Sequence, residues 1–295
     1  MDLRDFFGGV DAVVDGLARQ QYVADQSIGM SIFLALKLEK PLLVEGEPGC
    51  GKTDIARALA ETLDTDLIRL QCYEGLDASA TLYEWNYPKQ LLTIRLQEKR
   101  KEPEDLEAEI FSERFLLKRP LLQALNHDGP RPPVLLIDEI DRADEEFEGL
   151  LLEFLSDFQV TIPEVGTILA VHKPFVLITS NRTRELSDAL KRRCLYLYID
   201  YPSLEKEVTI LRRRVPDLEA GLTQEICTFV QRVRADGEII KRPGIAETLD
   251  WAAALLALEA RSLTKKTILE TLGFVAKEAE DLHLLEEKVD SLLES

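Results

Sequence analysis

Along the first two-thirds of the chain, short apolar runs alternate with segments whose apolar positions recur at helical spacing. The runs Pro41–Glu45, Leu67–Gln71, Val134–Ile137, Phe175–Thr179 and Cys194–Ile199 predict strands. Between the third and fourth of these, Phe147, Leu150, Leu151, Phe154, Leu155 and Phe158 fall on one face of a predicted helix. Strands alternating with helices predict a parallel sheet covered by helices on both faces, an α/β fold. After Tyr201-Pro202 the rhythm changes. No strand-like run follows, and the leucine-rich stretches around 204–214, 222–235, 246–260 and 266–293 predict amphipathic helices. The pattern divides the chain into an α/β domain at 1–201 and an all-α domain at 202–295. One segment breaks the rhythm: EKRKEPEDLEAEIFSER (98–114) mixes both charge signs around Pro103 and reads as a solvated or partly disordered loop or helix, with a dedicated docking element as the alternative.

Composition narrows the class. The chain has 295 residues, 36 Lys plus Arg against 54 Asp plus Glu, and a formal net charge of −18. Surfaces that grip nucleic acid or anionic lipid need a basic footprint, so neither is expected as a general partner, although a local basic groove is compatible with the balance. No apolar run approaches the roughly 18 residues that span a bilayer. The start, MDLRDFFGGVDAVVDG, has no basic leader or cleavage-site pattern, and a cytoplasmic protein is expected. Cys50, Cys72, Cys194 and Cys227 form no CxxC pair, which suits reduced thiols better than disulfides or a zinc site. His127, His172 and His283 are too scattered to suggest a metal pair.

Four motifs carry chemistry. Residues 46–53, GEPGCGKT, follow the apolar strand PLLVE and open the helical pattern KTDIARALAETL. That is the context of a P-loop, whose glycines (Gly46, Gly49, Gly51) let main-chain N–H groups wrap an anion at a helix N-terminus. Lys52 would neutralise the β- and γ-phosphates, and the Thr53 hydroxyl would ligate Mg²⁺. Cys50 lies within the loop, where a helix N-terminus can lower a thiol pKa; equally, the position simply tolerates a small residue. PVLLIDEIDRAD (133–144) ends a buried strand on two carboxylates. Asp138 is placed to hold the Mg²⁺ shell and Glu139 to orient and polarise the attacking water. No NKxD-type guanine reader is present. FVLITSN (175–181) ends a neighbouring strand on Asn181, whose amide could bond the water or the γ-phosphate. LSDALKRRCLYLYI (186–199) sets Arg192 and Arg193 between a helix and a strand. There they could stabilise phosphoryl charge across a subunit boundary or simply complement the helix dipole.

In this order, GEPGCGKT, VLLIDEID, FVLITSN and ALKRRC followed by a helical region resemble an AAA+ ATPase, and more narrowly the MoxR family, from about Tyr22 to Leu258. The segments YVADQSIGMSIFLALKLEKPLLVEGEPGCGKT, QCYEGLDASATLYEWNYPKQLL and KRPGIAETLDW are most similar to the branch containing CoxD. The resemblance implies a five-stranded parallel sheet with a small helical lid. ATP and Mg²⁺ would lie between them, at a subunit interface of a ring, usually a hexamer. It also implies chaperone-like action beside a protein carrying a von Willebrand A domain. In the CoxD branch the client is aerobic carbon monoxide dehydrogenase, whose molybdenum–copper site is matured. Carried over residue by residue, Gly46, Glu47, Pro48, Gly49, Cys50, Gly51, Lys52 and Thr53 become Walker A. Asp138 and Glu139 become Walker B, with Thr53 and Asp138 on the metal. Asn181 becomes sensor 1, and Arg192 or Arg193 the arginine finger. The lid arginine that many relatives use falls near Ala246, which leaves Arg242, just upstream, as the candidate. The family pattern also implies an insert at about 74–118 and a hairpin at 157–170, DFQVTIPEVGTILA, turning at Pro163–Gly166. Within the insert, Tyr83, Trp85 and Tyr87 would share one face if extended. They would form either a substrate-engaging surface or a packing contact.

The expected function is Mg²⁺-dependent ATP hydrolysis that remodels a client molybdenum hydroxylase. A nucleotide-gated scaffold with negligible turnover and a DNA-acting AAA+ motor are the alternatives. The acidic balance disfavours the second.

Overall fold

The computed structural model describes residues 3–97 and 103–294. Nine strands lie among them: β1 Leu42–Gly46, β2 Leu67–Gln71, β3 Tyr83–Trp85, β4 Leu116–Lys118, β5 Val134–Asp138, β6 Gln159–Ile162, β7 Gly166–Leu169, β8 Phe175–Ser180 and β9 Leu195–Ile199. The five predicted strands are β1, β2, β5, β8 and β9. They form one parallel sheet in the order β2-β5-β8-β1-β9. β1 starts one residue later than predicted, because Pro41 has no N–H to give a ladder. Its carbonyl still accepts from Leu195.

Alternating side chains explain why the strand sequences are apolar throughout. Leu43, Leu135, Ile137, Val176 and Ile178 enter one core with Phe147, Leu151 and Phe154 of the helix Glu145–Asp157. Leu42, Val44, Val134, Leu136, Phe175 and Leu177 enter a second core on the opposite face. That second core is closed by the helices Val10–Arg19, Gln26–Leu38 and Lys52–Leu63. A sheet buried on both faces reads as continuous hydrophobic runs, not as alternation.

Two antiparallel ribbons project from this frame. β6 and β7 pair across 159–169, with Gly166 at φ 96 where the turn requires a left-handed residue. β3 and β4 pair within 74–118 and flank the helices Tyr87–Gln97 and Pro103–Ile110. Residues 98–102 of the charged segment lie outside the described residues. The shared face expected for Tyr83, Trp85 and Tyr87 does not form. β3 ends at Trp85, which is buried edge-on against Phe111 at 5.4 Å, whereas Tyr87 opens a helix and is 60% exposed.

After β9 the described chain is helical: Leu204–Arg214, Ala220–Ala235, Ile245–Ala257, Lys265–Thr271 and Ala279–Glu294. The stretch 266–293, expected as a single amphipathic helix, is broken. A 3-10 turn at Leu272–Phe274 redirects the chain, so that Leu272 and Val275 join Leu285 and Val289 in one core around Trp251. Trp251 is fully buried and donates from Nε1 to Thr271 Oγ1 at 2.8 Å. Its ring centroid lies 5.4 Å from that of Phe229.

A buried ion pair ties the first three of these helices together. Arg234 donates to both oxygens of Glu207 at 2.7 Å each and, through Nε, to the Pro243 carbonyl at 2.6 Å. Thr248 and Gln231 supply further donors to the same carboxylate, at 2.8 and 2.7 Å.

Candidate functional site

All five central strands are parallel, so their carboxyl ends share one rim, which is where open α/β sheets bind ligands. A cavity of about 560 Å³ opens there between the sheet and the helical region. Pro48 to Asp54, Asp138, Glu139, Thr179 and Asn181 line it from the sheet side. Arg214, Val215, Ile245, Ala246, Leu249, Asp250 and Ala253 line it from the helical side. The volume suits a nucleotide-sized ligand.

The loop 46–51 is shaped by its glycines for two different reasons. Gly49 and Gly51 have φ of 75 and 84, the left-handed region that favours glycine. Gly46 is needed for closeness: a Cβ there would meet the Ile199 carbonyl oxygen of β9 at 2.0 Å. Gly51 caps the helix Lys52–Leu63, whose N-terminus faces the cavity. Lys52 is buried, and its Nζ donates to the carbonyls of Gly46 and Glu47 at 2.8 and 2.7 Å. Burial lowers its pKa, and nearby Cys50, Asp141, Glu47 and Asp138 act in the opposite sense. Glu47 itself faces a neighbouring cavity. The Cys50 thiol is buried 8% exposed, and desolvation pushes its pKa up to about 11. This runs against the lowered thiol pKa raised as one option for this loop, because loss of hydration outweighs the attraction of Lys52.

Asp138 ends β5 almost fully buried. Its Oδ1 accepts from the hydroxyls of Thr53 at 3.0 Å and Thr179 at 2.6 Å. Its Oδ2 accepts from Arg69 through Nε at 3.1 Å and Nη2 at 2.5 Å. Glu139 has φ 57, and its N–H donates to Thr179 Oγ1 at 2.9 Å. Its Oε1 accepts from Asn181 Nδ2 at 3.3 Å, and its Oε2 accepts from Gln71 Nε2 at 3.0 Å and Arg142 Nη1 at 3.1 Å. The structure therefore brings Lys52, Thr53, Asp138, Glu139 and Asn181 together around one cavity. The Thr53 hydroxyl and the Asp138 carboxylate are hard oxygen donors side by side, a pairing suited to a Mg²⁺ ion that fills its remaining positions with water and phosphate oxygens. Among the described residues no group of three or more His, Cys, Asp or Glu side chains could hold a metal.

The other predicted residues lie elsewhere. Arg192 and Arg193 end the helix Asp188–Arg193, exposed and away from this cavity. Arg242 is exposed and lines a neighbouring cavity with Glu47, Asp200 and Tyr201, so it does not face the nucleotide-sized one. From the helical side, the basic residue that lines it is Arg214, at the end of the helix Leu204–Arg214. Ala246 lines the cavity, so the position where a lid arginine was expected faces it without a charge.

Arg69, Gln71, Thr179, Asp141 and Arg214 were missed from sequence. The sequence offered only a partial signal, the alternation of Arg69 and Gln71 toward one face of LIRLQ; that Gln71 lies beside Asp138 follows from the sheet register alone.

Residues 41–194, just over half of the chain, match the AAA domain of the dynein-related subfamily. The chain belongs to that family. It is an AAA-type ATP hydrolase with the nucleotide-binding fold of the family, whose members commonly assemble into rings. Curated relatives are distant. A protein of Staphylococcus haemolyticus described as uncharacterized is 22% identical over 268 residues, covering 87% of this chain and 94% of its own. One from Staphylococcus aureus, described likewise, is 24% identical over 246 residues, covering 80% and 85%. Among solved structures, the RuvB Holliday junction branch migration motor of Thermotoga maritima is 19% identical with a TM-score of 0.48, covering 99% of this chain and 80% of that one. Domain III of the Thermotoga maritima replication initiation protein DnaA is 15% identical with a TM-score of 0.48, covering 87% and 95%. Among the described residues of this AAA protein, no helix is long and apolar enough to cross a membrane.

Proposed function

We propose that the protein hydrolyses ATP with Mg²⁺ in a ring of identical subunits and uses the cycle to remodel a folded client. The observation that carries this reading is the convergence of Lys52, Thr53, Asp138, Glu139 and Asn181 on one cavity closed by the helical region. The backbone N–H groups of 49–53 and the Lys52 ammonium bind the phosphates. Thr53 and Asp138 hold Mg²⁺, which when bound neutralises charge on the phosphate oxygens. Glu139 is the base that accepts a proton from the attacking water, once its Oε1 exchanges the Asn181 amide for that water. Asn181, released, donates to the water or to the γ-phosphate. Arg192 and Arg193, turned away from their own cavity, supply positive charge to a neighbour's.

Residues 202–295 act as the lid, and the ATP cycle changes its angle to the sheet. The client reading rests on the segments similar to the CoxD branch: a molybdenum hydroxylase such as carbon monoxide dehydrogenase, opened for metal-site maturation beside a von Willebrand A partner. The test is Glu139→Gln. The variant should bind ATP, lose hydrolysis and accumulate as a stable oligomer; undiminished hydrolysis sinks the catalytic assignment.

A further inference from the structure

Asn181 and the Arg192/Arg193 pair sit at opposite ends of one short segment, and both of its anchors come from the stretch that follows Glu139. Asp141, 3% exposed, accepts from the Asn181 N–H at 3.1 Å, the Thr183 N–H at 2.9 Å and the Thr183 hydroxyl at 2.6 Å. Burial alone would raise its pKa, but these donors outweigh that and hold it below the usual value, as a charged acceptor. One helix further on, Glu148, 2% exposed, accepts from the Ser187 N–H at 3.0 Å and pairs with Arg184 at 2.6 Å. Arg184 also donates to the Ala143 carbonyl at 2.7 Å. Ser187 caps the helix Asp188–Arg193, accepting from Leu190 at 3.3 Å, so the Glu148 contact sets where that helix begins.

Burying two carboxylates is costly unless each is fully engaged by donors. Here every one of these contacts comes from the one segment that joins Asn181 to the arginines: the N–H groups of Asn181, Thr183 and Ser187, the Thr183 hydroxyl and the Arg184 guanidinium. We propose that Asp141 and Glu148 are positioning residues acting on two different active sites. Asp141 sets Asn181 over Glu139 in its own subunit, and Glu148 sets the arginine helix that is presented to the neighbour. The second half rests on the reading of Arg192 and Arg193 given above.

Subunit mixing separates the two roles. A Lys52→Ala subunit is defective in its own phosphate binding but keeps its arginines. Glu148→Gln should lower kcat by roughly 10- to 100-fold, the scale of misplacing a catalytic group by up to about 1 Å, with the KM for ATP nearly unchanged. Doping Glu148→Gln with Lys52→Ala should restore turnover per intact site, because the added subunits bring correctly placed arginines. Asp141→Asn should show a comparable loss that doping does not restore. Arg184→Gln, altered at a partly exposed side chain, repeats the Glu148 test if that variant folds poorly. The control is the Arg192→Ala/Arg193→Ala double variant. If it retains full activity, the arginine reading fails. If it is inactive and rescued by doping while Glu148→Gln and Arg184→Gln are fully active or beyond rescue, the mount proposed here is overturned.

Discussion

The carbonyl oxygen of Gly49 accepts the backbone N–H of Ile245 at 3.0 Å, so the glycine loop 46–51 and the first turn of a helix in the C-terminal region are bonded directly. Gly244 makes that approach possible. A Cβ on it would lie 2.8 Å from the Gly49 Cα and 2.9 Å from the Pro48 carbonyl oxygen, both of them backbone that cannot swing aside. Gly244→Ala should push helix and loop apart, at an overpacking cost of about 1–3 kcal/mol. If about 1 kcal/mol of that appears in nucleotide binding, the Kd for ATP rises roughly fivefold. Titration with a fluorescent ATP analogue measures it; an unchanged Kd would show that the contact does not shape the nucleotide site.

The Arg234–Glu207 pair predicts a stability effect with its own signature. Both side chains are nearly inaccessible, 5% and 0% exposed. Removing one partner strands the other, at about 3–5 kcal/mol, whereas replacing both with apolar residues is far less damaging. Arg234→Met should therefore lower the denaturation midpoint strongly, and Glu207→Leu/Arg234→Met should recover most of it. Loss of the Arg234 bond to the Pro243 carbonyl also frees the loop that carries Gly244, so the single variant should weaken ATP binding as well. A double variant as unstable as the single one would place the effect in packing, not in the stranded charge.

The elements that could be read from sequence are those whose cause is local or repeated. Val134–Ile137 and Phe175–Ile178 are apolar throughout because each strand is covered on both faces. The turn at GEPGCGKT is legible because a glycine loop opening a helix is a backbone conformation encoded by adjacent residues. Contacts created by strand register were not legible. Nothing near Asp138 in the chain announces that Arg69 and Gln71 will lie across it, since only the pairing of β2 with β5 brings them there. The helical region misled for a related reason. Ala246, Leu249, Asp250 and Ala253 recur at helical spacing and turn one face to the cavity. Arg242 precedes that helix in a segment whose Pro243 carbonyl is held by Arg234, and it points to a different cavity. Tyr87 escaped the face shared by Tyr83 and Trp85 because a helix starts there, a boundary that alternation of aromatics cannot show.

Cys50 carries a pH prediction. Its thiol pKa is raised from 9.0 to about 11, chiefly by burial. A raised thiol pKa means the neutral form persists as pH rises, and the thiolate appears only near and above pH 11. At pH 8 the reactive fraction should be about 100-fold below that of an ordinary thiol, since each pKa unit is a factor of about ten. Alkylation of folded protein by iodoacetamide, followed by mass spectrometry at Cys50, should be slow at pH 8 and climb through pH 10 to 11. Rapid labelling at neutral pH would mean that the helix N-terminus, not desolvation, controls this thiol.

Arg69 makes a prediction about metal dependence. It holds Asp138 Oδ2 through two nitrogens, while Thr53 and Thr179 occupy Oδ1. A cation drawn to the same carboxylate competes with the guanidinium already bonded to it, so Arg69 should oppose metal binding. Arg69 is itself half exposed, so solvent screening limits its pull on Asp138 to around 1 kcal/mol. Arg69→Met should therefore lower the Mg²⁺ concentration needed for half-maximal ATP binding by about 3- to 10-fold. Mn²⁺ titration followed by electron paramagnetic resonance gives the same comparison without turnover. The opposite sign, a several-fold higher metal requirement, would show that Arg69 serves mainly to orient Asp138, and that the lost alignment outweighs the released charge.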